Sequence, residues 1–176
     1  MNIKVILFDA YGTLFDVNSA VEKCKDKIGD RWENFSNFWR TTQLEYTWLR
    51  SLMKRHEDFW TITEDSLDKS MKVFGIDMSM KNDLLNLYKV LSPYPEVKEV
   101  LESLKRRNFK LAILSNGTPA LLNELVASNG LNNLFDDLFS IEEVGIYKPS
   151  AKVYDMPINK YDVKSSEITF LSANTW

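Results

Sequence analysis

Ile3-Lys4-Val5-Ile6-Leu7-Phe8-Asp9-Ala10-Tyr11-Gly12-Thr13 is an apolar, β-branched run that stops on one acid and a glycine-bearing turn. A run that is continuous rather than alternating reads as a strand buried on both faces, as in parallel sheets. The same texture recurs at 109–114, near 138–141 and at 168–171. Helical patterns lie between these runs. Residues 95–107 place Val97, Val100, Leu101 and Leu104 at helical spacing, and residues 119–129 do the same with Leu121, Leu122, Leu125 and Val126. Gly130 stands where a glycine ends a helix. Strand-helix-strand alternation predicts βαβ units and an α/β fold, with a parallel sheet and helices on both sides.

Residues 16–92 have another character. They are helical in pattern and rich in aromatics, with Phe35, Phe38, Trp39, Tyr46, Leu49 and Met53 at three- and four-residue steps, and they carry no buried-strand run. This stretch is expected to be a helical subdomain inserted after the first strand, with residues 1–15 and 93–176 forming the main domain. The chain returns at Ser92-Pro93-Tyr94-Pro95.

Composition narrows the function. The 176 residues are 44% hydrophobic and 27% charged, ordinary for a globular chain. A net charge of -3 gives no general attraction to nucleic acid or to an anionic membrane, so neither is expected as a partner. The opening apolar run is too short for a signal peptide or a membrane span. Cys24 is the one cysteine, so no internal disulfide forms and a reducing cytoplasm is the natural compartment. The one histidine, His56, sits among Lys54, Arg55, Glu57 and Asp58 and reads as solvated surface. A Ser-His-Asp machine or a histidine metal site is excluded on that count.

Ligands of open α/β sheets bind beyond the carboxyl ends of the strands. At those ends stand Asp9, then Ser115-Asn116, then Lys148 in the loop after the third strand, then Ser172 and Asn174. Taken singly, each reads as a loop cap or a solvated side chain. Together they bring a carboxylate, a hydroxyl, a cation and further hydrogen-bonding groups to one edge. Asp9 would point its carboxylate into the cleft, where Lys148 stabilises the negative charge and keeps it nucleophilic.

The phrase Phe8-Asp9-Ala10-Tyr11-Gly12-Thr13-Leu14-Phe15-Asp16 resembles the first motif of the haloacid dehalogenase (HAD) superfamily. Leu114-Ser115-Asn116-Gly117 resembles its second motif, and Gly145-Ile146-Tyr147-Lys148-Pro149 its third. The resemblance implies a Rossmann-like HAD core with a parallel sheet and a helical cap inserted after the first strand. Phosphatases of the superfamily carry a second aspartate two residues after the nucleophile, and here that position is Tyr11. They also place acidic residues after the fourth strand, where this chain has Leu171-Ser172-Ala173-Asn174-Thr175-Trp176. Magnesium requires hard anionic ligands, so no metal and no cofactor is expected. A halide leaving group needs neither proton nor metal.

In the insert, Asn37-Phe38-Trp39-Arg40 and Gln43-Leu44-Glu45-Tyr46-Thr47-Trp48-Leu49-Arg50 resemble the cap of L-2-haloacid dehalogenases. Arg40, Leu44 and Trp48 follow at i, i+4 and i+8 and share one helix face, offering a cation in an apolar wall. The resemblance implies hydrolysis of (S)-2-haloalkanoic acids to (R)-2-hydroxy acids through an ester on Asp9, which displaces the halide in line. It implies that Thr13 hydrogen-bonds near Asp9, that Ser115 holds the substrate carboxylate and that Arg40 and Asn116 receive the halide. Lys148 would support Asp9, while Tyr154, Ser172 and Asn174 tie down Lys148 and its surroundings. Tyr11, Leu44, Phe59 and Trp176 would line the pocket around the alkyl group. The implied partners are a small 2-haloacid, the departing halide and, since dimers are common in the family, a second copy as a homodimer.

Two departures accompany the resemblance. Family members continue past the tryptophan matching Trp176 with an aspartate that positions the lysine and activates water, followed by a further strand and helices. A chain ending at Trp176 is expected to alkylate Asp9 while ester hydrolysis stalls, and to leave one sheet edge open. Pro157 falls inside the helix expected over 149–160, where an interior proline costs about 3 kcal/mol. Two other readings remain at this level. One is a magnesium-dependent HAD phosphatase of a small phosphomonoester, and the other a non-catalytic remnant of a dehalogenase.

Overall fold

Four short apolar segments form the sheet: β1 (Val5–Phe8), β2 (Lys110–Ser115), β3 (Asp137–Ser140) and β4 (Ile168–Leu171). The computed structural model describes residues 3–174. Every residue of β1 is buried, as expected for a central parallel strand covered on both faces. The sheet is parallel in the order β3-β2-β1-β4, with Val5 opposite both Lys110 and Ile168. The chain steps from β1 to β2 to β3 in one direction and then places β4 on the far side of β1. The strand order therefore reverses at the carboxyl ends of β1 and β4, and there an open α/β sheet leaves its crevice. Trp176 lies outside the described residues.

The helices in chain order are α1 (Ser19–Glu22), α2 (Lys25–Ile28), α3 (Trp32–Met53), α4 (Phe59–Phe74), α5 (Lys81–Lys89), α6 (Val97–Arg106), α7 (Pro119–Ser128) and α8 (Ala151–Tyr161). The chain forms two compact units, one of residues 1–16 with 93–176 and one of residues 17–92. In the first unit, α7 starts with Pro119 at its first position and the Thr118 hydroxyl accepting from the Leu121 N–H. It ends at Gly130, whose φ of +65° lets the Gly130 and Leu131 amides return to the Ala127 and Val126 carbonyls. The departing and returning strands of chain meet within this unit, where the Tyr94 N–H donates to the Leu14 carbonyl at 3.0 Å.

The third strand begins one residue earlier than its apolar run suggests. Ser140 ends it because its hydroxyl accepts from the Glu142 N–H and starts a 3-10 turn over Ile141–Glu143. Helix α8 runs through Pro157, which is buried. The proline removes one backbone donor, and burying its ring offsets part of that cost.

In the second unit, α3 and α4 pack together across a short loop. Asp58 caps α4 by accepting from the Trp60 and Thr61 amides at 2.8 and 3.0 Å. Its core holds Phe35, Trp39, Ile62, Leu67, Met71, Leu84 and Tyr88, with Trp39 and Tyr88 rings 5.1 Å apart. The apolar stripe expected along α3 is buried only in its first half. Phe35 and Trp39 are in the core, whereas Leu49 and Met53 are exposed. The buried line instead passes through Thr42, Gln43 and Thr47, because a period of 3.6 residues carries it onto polar positions. His56, expected on solvated surface, is half-buried. Among the described residues, no helix is long and apolar enough to cross a membrane.

Candidate active site

Asp9 is the first residue past β1, and its amide continues the ladder by donating to the Leu171 carbonyl at 2.9 Å. That bond sets the carboxylate at the reversal of strand order. Its Oδ1 accepts from the Ala10 N–H at 2.9 Å and lies 2.8 Å from Lys148 Nζ. Its Oδ2 accepts from Ser172 Oγ and Asn174 Nδ2, each at 3.2 Å. The two charged side chains are 5% and 4% exposed, so this pair works out of bulk water. At such burial each charge requires the other.

Lys148 is fixed from several directions. Its ammonium also donates to the Leu114 carbonyl at 3.0 Å and stands 5.4 Å from the centroid of the Phe170 ring. Its backbone N–H donates to Asn116 Oδ1 at 3.2 Å. Asn116 thus anchors the lysine-bearing loop to the end of β2. Ser115 is fully buried, and its hydroxyl accepts from the Gly117 N–H at 3.1 Å. The Gly117 carbonyl is in turn held by the Ser140 hydroxyl at 2.7 Å.

Thr13 Oγ1 accepts from the Ala173 N–H at 2.9 Å, which ties the first loop to the segment after β4. Ser172 bridges the same segment, accepting from the Asn174 N–H while facing Asp9. Tyr154 on α8 meets the Phe170 ring edge-on at 5.9 Å. Burial, and after it the negative charge of Asp9, raise the Tyr154 phenol above its ordinary value, so it stays protonated and able to donate. Lys148, Tyr154, Phe170, Ser172 and Asn174 line a cavity of about 300 Å³. Tyr11 is buried, with its ring against Gly117.

The structure therefore brings together Asp9, Thr13, Asn116, Lys148, Ser172 and Asn174, with Ser115, Tyr11 and Tyr154 beside them. Phe170 and the Leu114 carbonyl were not singled out from sequence. Strand alternation could have found Phe170, because it lies two residues before Ser172 and shares its side. Asp9 is the carboxylate of this cluster, and its oxygens are taken by an ammonium, a hydroxyl, an amide and a backbone N–H. That donor set suits an anion stabilised by hydrogen bonds and does not fit magnesium, which takes several oxygen ligands. Among the described residues, no three His, Cys, Asp or Glu side chains converge as a metal site.

In the helical unit, Arg40, Leu44 and Trp48 are all half-buried, consistent with one shared face of α3. Arg40 Nη1 donates to Gln43 Oε1 at 2.8 Å. Phe59, the first residue of α4, is buried in the core of this unit.

Residues 3–175 match the family of haloacid dehalogenase-like hydrolases. The chain is 44% identical over 176 residues to the (S)-2-haloacid dehalogenase of Pseudomonas sp. (strain YL), covering 99% of this chain and 76% of that protein. It belongs to the (S)-2-haloacid dehalogenase family. A crystal structure of a dehalogenase with an intermediate complex superposes with a TM-score of 0.97 at 36% identity, covering 99% of this chain and 78% of that one. The L-2-haloacid dehalogenase of Xanthobacter autotrophicus with chloropropionic acid covalently bound superposes with a TM-score of 0.89. That match has 38% identity and covers 98% of this chain and 70% of that one. The α/β HAD fold expected from the motifs is the fold of these dehalogenases.

Proposed function

We propose that this chain hydrolyses (S)-2-haloalkanoic acids to (R)-2-hydroxy acids, with Asp9 as the nucleophile. The observation that carries the reading is the buried Asp9–Lys148 pair at the reversal of strand order, in a cluster whose other side chains are neutral. Membership of the dehalogenase family supports it. In the first step a carboxylate oxygen of Asp9 attacks C2 from the face opposite the halogen. The carbon–halogen bond breaks with its electron pair on the halide, the centre inverts, and an ester joins C2 to Asp9. In the second step water attacks the ester carbonyl of Asp9. The hydroxy acid leaves with an oxygen from the enzyme, the carboxylate is restored with an oxygen from water, and one proton is released.

The residue roles belong to the same proposal. Lys148 holds Asp9 in place, Ser172 and Asn174 orient its second oxygen, and Thr13 secures the loop beside it. Ser115 and the first-loop amides take the substrate carboxylate. Arg40 and Asn116 receive the halide, and Tyr11, Leu44, Phe59 and Trp176 line the alkyl pocket. The helical unit acts as the cap that supplies Arg40. The single cysteine, Cys24, which can form no internal disulfide, supports placement in the cytoplasm, and a homodimer is proposed by analogy with the family.

The deciding experiment is mass spectrometry of the Asp9 peptide after incubation with (S)-2-chloropropionate, with chloride release followed in parallel. An ester on Asp9 that is absent in Asp9→Asn supports the reading. Chloride release without Asp9, or hydrolysis of p-nitrophenyl phosphate that EDTA abolishes, overturns it.

A further inference from the structure

We propose that Gln43 is a positioning residue for halide departure, because its carboxamide fixes the Arg40 guanidinium without neutralising it. The inference rests on the reading of Arg40 as a halide acceptor and goes on to name what aims it. Gln43 is 1% exposed and lies one turn beyond Arg40 on α3. Its Oε1 accepts from Arg40 Nη1 at 2.8 Å and from the Tyr88 hydroxyl at 3.1 Å, while its Nε2 donates to Thr63 Oγ1 at 2.6 Å. The carboxamide is thus held by α3, α4 and α5 at once.

The orientation of the amide follows from its neighbours. Thr63 gives its one hydroxyl proton to the Phe59 carbonyl at 2.7 Å, so toward Gln43 it can only accept. The nitrogen must face Thr63, which leaves the oxygen for Arg40 and Tyr88. The Thr63 backbone is pinned as well, because Trp39 Nε1 donates to its carbonyl at 3.1 Å and the Trp39 ring packs on Tyr88.

The chemistry of the acceptor is what points to function. A leucine would suit this buried line of α3 on packing alone, since a buried polar side chain must have every partner in place to avoid a penalty. If the need were only to hold an arginine, a carboxylate would hold it more strongly. A carboxylate would also cancel the positive charge that a departing halide requires. The carboxamide accepts one guanidinium N–H and itself adds no negative charge beside Arg40.

The test compares Gln43→Glu and Gln43→Met with Arg40→Gln in the full chain. Gln43→Glu keeps the shape and can accept from Arg40 and Tyr88, with the Thr63 hydroxyl turned to donate. It is expected to fold and to weaken bromide and chloride product inhibition by about tenfold or more, lowering kcat more than it changes KM. Gln43→Met removes the anchor while keeping the volume, and is expected to show a smaller loss in the same readouts. Wild-type halide inhibition and kcat in both Gln43 variants, with both lost in Arg40→Gln, would overturn the proposal and leave the Arg40 reading intact. Wild-type halide inhibition in Arg40→Gln would overturn both. If either Gln43 variant unfolds, the other carries the measurement. Lowered melting temperatures with unchanged halide affinity in the folded protein would reduce Gln43 to a core residue.

Discussion

Tyr11 and Gly117 are in contact so close that any side chain at 117 would force a neighbour to shift. A Cβ on Gly117 would stand 2.9 Å from Tyr11 Cε2, 3.0 Å from its hydroxyl and 3.1 Å from Leu122 Cδ2. The glycine of the second motif is thus the floor beneath the ring that replaces the phosphatase aspartate. Gly117→Ala must displace Tyr11 or Leu122, and overpacking of this kind costs about 1–3 kcal/mol. The expected outcome is a lower urea midpoint and a raised KM for 2-chloropropionate. Wild-type values for both would show that the ring is free to move.

Lys148 and Asp9 are matched in burial, so removing either alone is asymmetric. Lys148→Met leaves a carboxylate in a nearly dry site with only neutral donors, a change expected to cost about 3–5 kcal/mol. Asp9→Asn keeps the shape and the contacts to Ser172 and Asn174 but strands the ammonium. Urea unfolding should show both destabilised, with the double variant Lys148→Met/Asp9→Asn more stable than the sum of the single losses predicts.

Asp136 predicts a pH effect far from the site. Burial alone would raise its carboxyl, but the Leu111 N–H at 2.8 Å and Lys105 at 2.9 Å outweigh that and leave it below the usual range. A carboxyl lowered in the folded state adds stability above its unfolded value of about 3.9, and that stability is lost as pH falls through the folded value. The gap in melting temperature between the wild type and Asp136→Asn should therefore be open at neutral pH and close below about pH 4. A gap that persists unchanged into acid would count against the assignment.

Pro157 makes a prediction of opposite sign. An alanine there restores the donor to the helix and removes the clash with the preceding turn, at the loss of a buried ring. The gain exceeds the loss if relief of about 3 kcal/mol is set against the burial of a few methylenes at about 0.8 kcal/mol each. Pro157→Ala should raise the melting temperature.

These cases show where the sequence was informative. The strands, α7 and Gly130 were legible because apolar period and glycine conformation are local properties. The convergence of Asp9, Lys148, Ser172 and Asn174 was legible because parallel strands bring their carboxyl ends to one edge. Gln43 was not legible. On a helical stripe its position reads as an interruption, and its meaning depends on Thr63 and Tyr88, which lie 20 and 45 residues away. Strand alternation places Phe170 on the side of Ser172, but an apolar residue in an apolar strand does not announce that a cation will stand 5.4 Å from its ring.

Asp9 takes its partners Ser172 and Asn174 from 163 and 165 residues further along the chain. A nascent chain carries its aspartate from the first moments of translation, but these two donors reach it only once β4 has been made and paired with β1.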